Sequence, residues 1–320
     1  MKRTTVLMTS TGEGHLLRHS LPAALAQEGA DVVVVDNGGL DATSQVAEEH
    51  GARVILIPAK TQYCEVTNAA IAMTGGDNVL LLNADCFLQP GFLAAARPRL
   101  DEPAVGSVAP KLLRTLGPAD GERLDAIDAA GMVIDRRRKN TLVGHGRPGL
   151  AFDLPGEVFG VDGAAALYRR ETLERCAVEG EVLDPDFERW ASDVDLAWRA
   201  RLLGWKCVYE PRAVAYHMRQ YSPSTRAGMP ERDRRMQFRN RYLMMVKNDT
   251  ARGLVRDLPR IAAWEIAALA WALVRERHLL GAYAETARLL PAARRRRTWV
   301  QSARRAAGVN EVPFGLEVQP

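Results

Sequence analysis

Between residues 4 and 110 the chain alternates short aliphatic, β-branched runs with helix-patterned segments, and this alternation restricts the possible folds most. Val32-Val33-Val34-Val35 and Val79-Leu80-Leu81-Leu82 are unbroken apolar runs of strand length. A sheet with one wet face would show polar residues at alternate positions. Continuous runs belong to strands covered on both faces, as in a parallel sheet sandwiched between helices. Strands are therefore expected at 6–8, 31–35, 54–57, 79–82 and 105–108. Helices at 15–28, 42–50, 65–74 and 91–100 would connect them.

From 111 to 157 the sequence becomes rich in glycine, proline and charge, including Arg136-Arg137-Arg138-Lys139, and reads as an irregular insertion with a small hairpin around 132–134. Regular patterning returns as a strand at 161–168, helices at 171–176 and 193–203, and strands at 207–209 and 214–216. An arginine-bearing helix follows at 231–247, and amphipathic helix is expected from 249 to Pro313. The expected class is α/β, Rossmann-like, with a mainly parallel sheet and flanking helices. Residues 1–110 and 111–250 would form two halves of one domain, and 251–320 a basic amphipathic helical region.

The four cysteines, Cys64, Cys86, Cys176 and Cys207, are scattered without a CxxC pair, which argues against a disulfide framework or a zinc cluster and for reduced, cytosolic thiols. The apolar segment at 6–8 is too short for a signal peptide, and 261–274 carries Glu265 and falls short of the roughly 20 apolar residues of a membrane span. Charge is unevenly placed. Residues 251–305 hold 12 arginines against four acidic side chains, although the whole chain is only +4. An anionic partner surface follows from that asymmetry. The run Arg294 to Arg297 lacks interleaved aromatics, so nucleic acid is not expected. The neighbouring Ile261, Trp264, Leu269, Trp271 and Leu273 fit a membrane surface better, giving a cytoplasmic protein peripheral on the inner face of the cell membrane. Oligomeric state is not readable.

In open α/β sheets ligands bind at the carboxyl ends of the strands. Asp36 follows the four valines directly, and Asp85 lies three residues past Leu82. A carboxylate so placed can accept from a uracil or thymine imide or a ribose hydroxyl, or hold a hard cation. Either residue can equally be a turn residue. Ser192-Asp193-Val194-Asp195-Leu196 sets carboxylates at a helix start, where one could take a proton from a hydroxyl, while Asp195 can instead pair with Arg199 four residues on. Gly12-Glu13-Gly14 imitates a dinucleotide fingerprint, but Leu17 occupies the third glycine position.

Taken in order, Val35-Asp36-Asn37, Leu82-Asn83-Ala84-Asp85, the stretch from Gly160 to Arg170, the Asp193-Val194-Asp195-Leu196 helix with Gly204-Trp205, and Pro211 to His217 resemble family 2 glycosyltransferases of the GT-A fold, in detail the rhamnosyltransferase-like branch. The resemblance covers about residues 4 to 250 and implies a nucleotide-binding half at 1–110 and an acceptor and catalytic half at 111–250. It implies a metal-dependent, inverting hexosyltransferase of cell-envelope polysaccharide synthesis. The donor would be a dTDP- or UDP-sugar, dTDP-rhamnose by preference, and the acceptor a glycan or polyprenyl-diphosphate-linked glycan. It further implies that Asp36 contacts the base and that Thr9, Asn68, Asn83, Ala84, Asp85 and Gly163 contact the donor. Asp85 and His217 would hold Mg2+ or Mn2+, and Asp193 would be the catalytic base. Trp190 and Ser192 would face the acceptor, although Trp190 is also a natural core residue. Two departures stand out: Ser192 replaces the family's glutamate before the base, and Ala70 replaces a glycine after Asn68.

Two other classes fit parts of the pattern. A nucleotidyltransferase also uses a nucleotide crevice with metal-binding acids, but Thr9 to Gly14 has no basic residue for a phosphate loop. A non-catalytic sugar-nucleotide-binding protein would tolerate both departures.

Overall fold

Strands β1 (Thr4–Ser10), β2 (Ala30–Asn37), β3 (Arg53–Ile57) and β4 (Asn78–Asn83) lie parallel in the order β4-β1-β2-β3. Helices α1 (Gly14–Leu25), α2 (Thr43–Glu49) and α3 (Tyr63–Ala72) cross between them. The computed structural model describes residues 3–222 and 225–320. Alternate residues of one strand enter two separate cores: Leu7, Val33, Val35, Val79 and Leu81 pack on one face, and Val6, Met8, Val32, Val34, Leu80 and Leu82 on the other. Both faces are dry, which is why the runs carry no polar alternation.

The sheet continues on the other side of β4. Strand β11 (Ala165–Arg169) runs antiparallel between β4 and β6 (Val105–Thr115), and β12 (Lys206–His217) lies parallel to β6. Short strands β5 (Cys86–Leu88), β7 (Arg123–Ala129) and β10 (Gly156–Val158) pair with β12, β6 and β12. Helices α4 (Phe92–Ala96), α5 (Arg170–Cys176), α6 (Ser192–Leu202), α7 (Glu231–Asn248), α8 (Ala251–Val274) and α9 (Gly281–Ala306) complete the order. The four cysteines are free and buried.

Four sequence expectations change. The stretch 111–157 is largely ordered: β6 runs on to Thr115, β7 and β10 follow, and the expected hairpin is β8 (Met132–Ile134) with β9 (Asn140–Leu142). Its charges resemble loop residues, but several are satisfied inside. Lys111 is buried, donating to the Gly149 carbonyl at 3.0 Å and pairing with Asp153, and Arg138 is buried between Asp249 and Asp257, each at 2.8 Å. The strand expected at 161–168 begins only at Ala165, leaving 160–164 as a loop. The two strands expected at 207–216 are one, β12, with a register shift between Glu210 and Val214 where Pro211 removes a donor. The helix expected to reach Pro313 stops at Ala306, followed by Gly308 at φ +70°.

The residues after α9 return to the body. Gly315 N–H donates to the Ile134 carbonyl at 2.8 Å, and Phe314 meets Trp198 edge-on with centroids 5.2 Å apart. Ala293 and Val300 of α9 join the larger core. Among the described residues no helix is long and apolar enough to cross a membrane.

Candidate functional site

The sheet register sets the floor of the site. Thr9 pairs with Asn83 and Ser10 with Asp36, so the carboxyl ends of β4, β1 and β2 form one rim. Beyond β4, the Asn83 N–H donates to the Ala164 carbonyl at 2.9 Å, drawing the 160–164 loop onto the same rim. Ala84 is buried, and Asp85 is half-buried in the link to β5, with its carbonyl accepting from Met218 N–H at 3.0 Å.

Asp193 lies in the first turn of α6 above that loop. Its Oδ2 accepts from Gly163 N–H at 3.0 Å and its Oδ1 from Val194 N–H at 2.8 Å. Desolvation, followed by repulsion from Asp162, outweighs those bonds and raises its pKa from the ordinary 3.8 to about 6. Asp193 is thus ionised at neutral pH and a much better proton acceptor than a surface aspartate. A Cβ added at Gly163 would touch Asp193 at 3.4 Å, so the loop runs directly beneath the carboxylate.

A continuous polar chain connects Asp193 to Asp85. Asp162, beside Gly163, accepts from Arg219 Nη2 at 2.8 Å, and Arg219 Nε donates to Asp128 Oδ1 at 2.7 Å. The other oxygen of Asp128 meets His217 Nδ1 at 2.8 Å, and His217 Nε2 is 3.4 Å from Asp85 Oδ1. Burial alone would lower the pKa of His217, but Asp128 and Asp85 raise it to about 9. Asp128 is fully buried, and although burial opposes ionisation, His217 and Arg219 hold its carboxyl well below the usual range.

A divalent cation is implied by the resemblance, and these residues fit one. Asp85 Oδ1 is a buried acceptor without a hydrogen bond, 3.4 Å from the imidazole Nε2 that Asp128 does not engage, and a cation entering there would displace the proton that the raised pKa keeps on that nitrogen. Oxygen with one imidazole suits Mg2+ or Mn2+. A carboxylate behind a ligating histidine is the usual means of fixing its ring. Among the described residues no three His, Cys, Asp or Glu gather around one point, so a cation here would complete its shell with phosphate and water.

The other sequence candidates have different settings. Asp36 is buried, and its carboxylate accepts from Gly39 N–H at 3.0 Å and Ser44 Oγ at 2.5 Å, closing its own turn. The Asn68 amide lies buried against Leu183, accepting from its N–H at 2.8 Å and donating to its carbonyl at 2.7 Å, which braces α3 against the chain before α6. Ser192 is buried, with its hydroxyl directed back to the Arg189 carbonyl at 3.3 Å. Trp190 is half-buried, and its indole N–H is enclosed without a partner. It sits between Glu188 at φ 59° and Ala191 at φ 62°, left-handed conformations that non-glycine residues avoid and that concentrate at functional sites. Asn240 of α7 pins this loop through the carbonyls of Phe187 at 2.9 Å and Trp190 at 2.7 Å. Asp195 is buried in an ion cluster with Arg199, Lys247 and Asn248, each at 2.9 Å, and takes the structural alternative.

Sequence reasoning missed Asp128, Asp162 and Arg219. Asp162 stood within a quoted motif and Arg219 two residues past His217, whereas Asp128 lay in the stretch read as irregular.

A model described as Glycosyl transferase family 2 matches residues 5–176. The chain is 27% identical over 229 residues to "Uncharacterized protein y4gI" of Sinorhizobium fredii (strain NBRC 101917 / NGR234), an alignment covering 65% of this chain and 23% of that protein. Its fold is similar to S. aureus TarS 1-349 in complex with UDP-GlcNAc, with TM-score 0.59, 15% identity, 99% of this chain and 98% of that one. It is likewise similar to the mannosyltransferase PcManGT from Pyrobaculum calidifontis with GDP-Man and Mn2+, with TM-score 0.54, 19% identity, 96% and 86% coverage. GalNAc-T7 with UDP, GalNAc and Mn2+ gives TM-score 0.60 and 12% identity over 77% of this chain and 48% of that one.

Proposed function

This chain belongs to glycosyl transferase family 2, and from that premise we propose that it moves a sugar from a nucleoside diphosphate donor to a hydroxyl acceptor with inversion. The observation that carries the reading is the polar chain from Asp193 through Asp162, Arg219, Asp128 and His217 to Asp85, which joins a poised base to a cation-type donor set along one rim of the sheet.

Asp193 removes the acceptor proton, and its pKa near 6 keeps it ionised yet receptive at neutral pH. The Gly163 N–H fixes the direction of that carboxylate. A single base suffices, because inversion forms no covalent intermediate. Asp85 and His217 would hold Mg2+ or Mn2+, which supplies charge neutralisation for the departing diphosphate; two of the structurally similar enzymes are described with Mn2+. Thr9, Asn83, Ala84 and Gly163 line the donor side of the rim. Asp36 offers the base a main chain braced by its own carboxylate, and Trp190 offers a stacking face to an acceptor ring.

The named donors of similar proteins include UDP- and GDP-sugars. For this chain a dTDP- or UDP-sugar, with rhamnose as first choice, rests on the sequence resemblance. So does a lipid-diphosphate-linked glycan acceptor in envelope polysaccharide synthesis. The arginines of α7 are engaged in ion pairs and are not open to acceptor phosphates. Arg232 and Arg239 pair with Glu188, Arg234 with Glu276, Arg235 with Glu285 and Arg241 with Glu265.

The test is incubation with a panel of nucleotide sugars and Mn2+, following release of nucleoside diphosphate without an acceptor. One donor should be hydrolysed slowly, with loss of signal on chelation. A panel in which no donor binds or turns over would defeat the reading. Binding without turnover would favour the sugar-nucleotide binder.

A further inference from the structure

Helix α8 is amphipathic in the reverse sense for a surface helix. Its only two acids face the body: Asp257 is fully buried against Arg136 at 2.6 Å and Arg138 at 2.8 Å, and Glu265 meets Arg241 and Tyr242 Oη, each at 2.5 Å. Most of its large aliphatic residues face outward, with Ile261 buried. Val255 and Ile266 are each 71% exposed, Leu258 53% and Leu273 50%, with Leu254 and Leu269 beside them. At 100° per residue these six fall within an arc of about 120°, a stripe whose edge beside Leu254 also carries the body-facing Glu265 and Ala272.

One border of that stripe is cationic. Arg252, Arg256 and Arg260 succeed one another at four-residue spacing, and Arg252 and Arg256 share Glu311. Beyond them opens a groove of about 600 Å³ lined by Asp135, Arg136, Arg137, Arg260 and Trp264, in which Arg137 pairs with Asp135 and Arg136 with Asp257, so that the cations outnumber the acids and Arg260 is left to face an anion. The Trp264 ring carries Arg137 at 5.1 Å and Lys139 at 4.9 Å over its face. The arginine run of α9 contributes less than its sequence promised. Arg295 pairs with Glu179, Arg296 with Asp184 and Asp186, and Arg297 donates to the carbonyls of Val246 and Asp249.

We propose that α8 lies in the plane of an anionic bilayer surface, its aliphatic stripe among the acyl chains and lipid phosphates in the Arg136–Arg137–Arg260–Trp264 groove. Charge decides between this occupant and a second copy of the chain. With Asp257 and Glu265 turned inward, and Glu311 and Asp135 already engaged by Arg252, Arg256 and Arg137, no free acidic row is left on this face to meet another arginine border, whereas lipid phosphates meet its surplus positive charge at Arg260 directly. Arginine stems also extend along apolar surface while their heads reach the phosphate layer, so the two features act as one face. The inference is independent of the glycosyl-transfer reading.

The test is vesicle flotation of the full chain with neutral phosphatidylcholine and with vesicles containing about 30% phosphatidylglycerol. The protein should float with the anionic vesicles and bind neutral ones at least about tenfold more weakly. The triple variant Leu258→Glu, Ile266→Glu, Leu273→Glu should lose about tenfold or more of that binding, and Arg260→Ala about fivefold. Thermal melts should stay unchanged, since all four side chains face solvent. Absence of wild-type flotation, or equal flotation of the triple variant, overturns the proposal. So does a wild-type dimer in light scattering that the triple variant reduces to monomer, because the stripe would then be a subunit seam.

Discussion

Replacing Asp193 by Asn separates what this carboxylate does for the reaction from what it does for the fold. The displacement from 3.8 to about 6 means that the folded protein disfavours the ionised form by ~3 kcal/mol. Between those two values the native state binds more protons than the unfolded chain, so wild-type stability falls as pH rises through the window and is flat above it. Asn keeps the size and can still accept from the Gly163 N–H, but it carries no charge to desolvate beside Asp162. The variant should therefore match wild type near pH 4 and exceed it by up to ~3 kcal/mol at pH 7.5 in urea titrations. Turnover with the cognate donor and acceptor should drop by about 10²- to 10⁴-fold with little change in donor affinity. In the wild type, kcat/KM should rise with pH through an apparent pKa near 6. A variant that is less stable than wild type at pH 7.5, or that keeps a tenth of the turnover, would refute the assignment of Asp193 as a desolvated base.

Asp195, two residues on, should behave oppositely. Asp195→Ala strands Arg199 and Lys247 inside the protein and should cost about 3–5 kcal/mol by the same urea titration. Gly160→Ala would set a Cβ 2.4 Å from the Ala197 Cβ, pushing α6 from the loop beneath it; a cost of about 1–3 kcal/mol and a lower kcat are expected from melts and kinetics. Asp128→Asn removes the charge behind His217 and should weaken Mn2+ binding about 10- to 100-fold, read by metal titration without substrate. Unchanged Mn2+ affinity in that variant would detach Asp128 from the cation set.

The arginines of the C-terminal helices show how burial recasts a sequence feature. Twelve of them in 251–305 look like one basic surface. The fold divides them: the α9 run faces Glu179, Asp184 and Asp186, while the row on α8 borders an exposed aliphatic stripe. Charge counts carry no information about which side of a helix meets the body, and α8 inverts the usual arrangement.

Periodicity in the sequence was enough to establish the first four strands, their parallel pairing and the order of the early helices. A continuous valine or leucine run has few stable destinations other than a strand dry on both faces. It also marked Asp36, Asp85 and Asp193 as residues of interest, because acids after buried strands and at helix starts are local features, whereas His217 came only from the family resemblance. Tertiary structure alone decided how they relate. Asp128 and Arg219, 91 residues apart, join His217 to Asp162, and Asn68 turns inward to Leu183, 115 residues away. Long-range pairing of charges leaves no local signature, since a buried ion and a solvated one are spelled with the same letters.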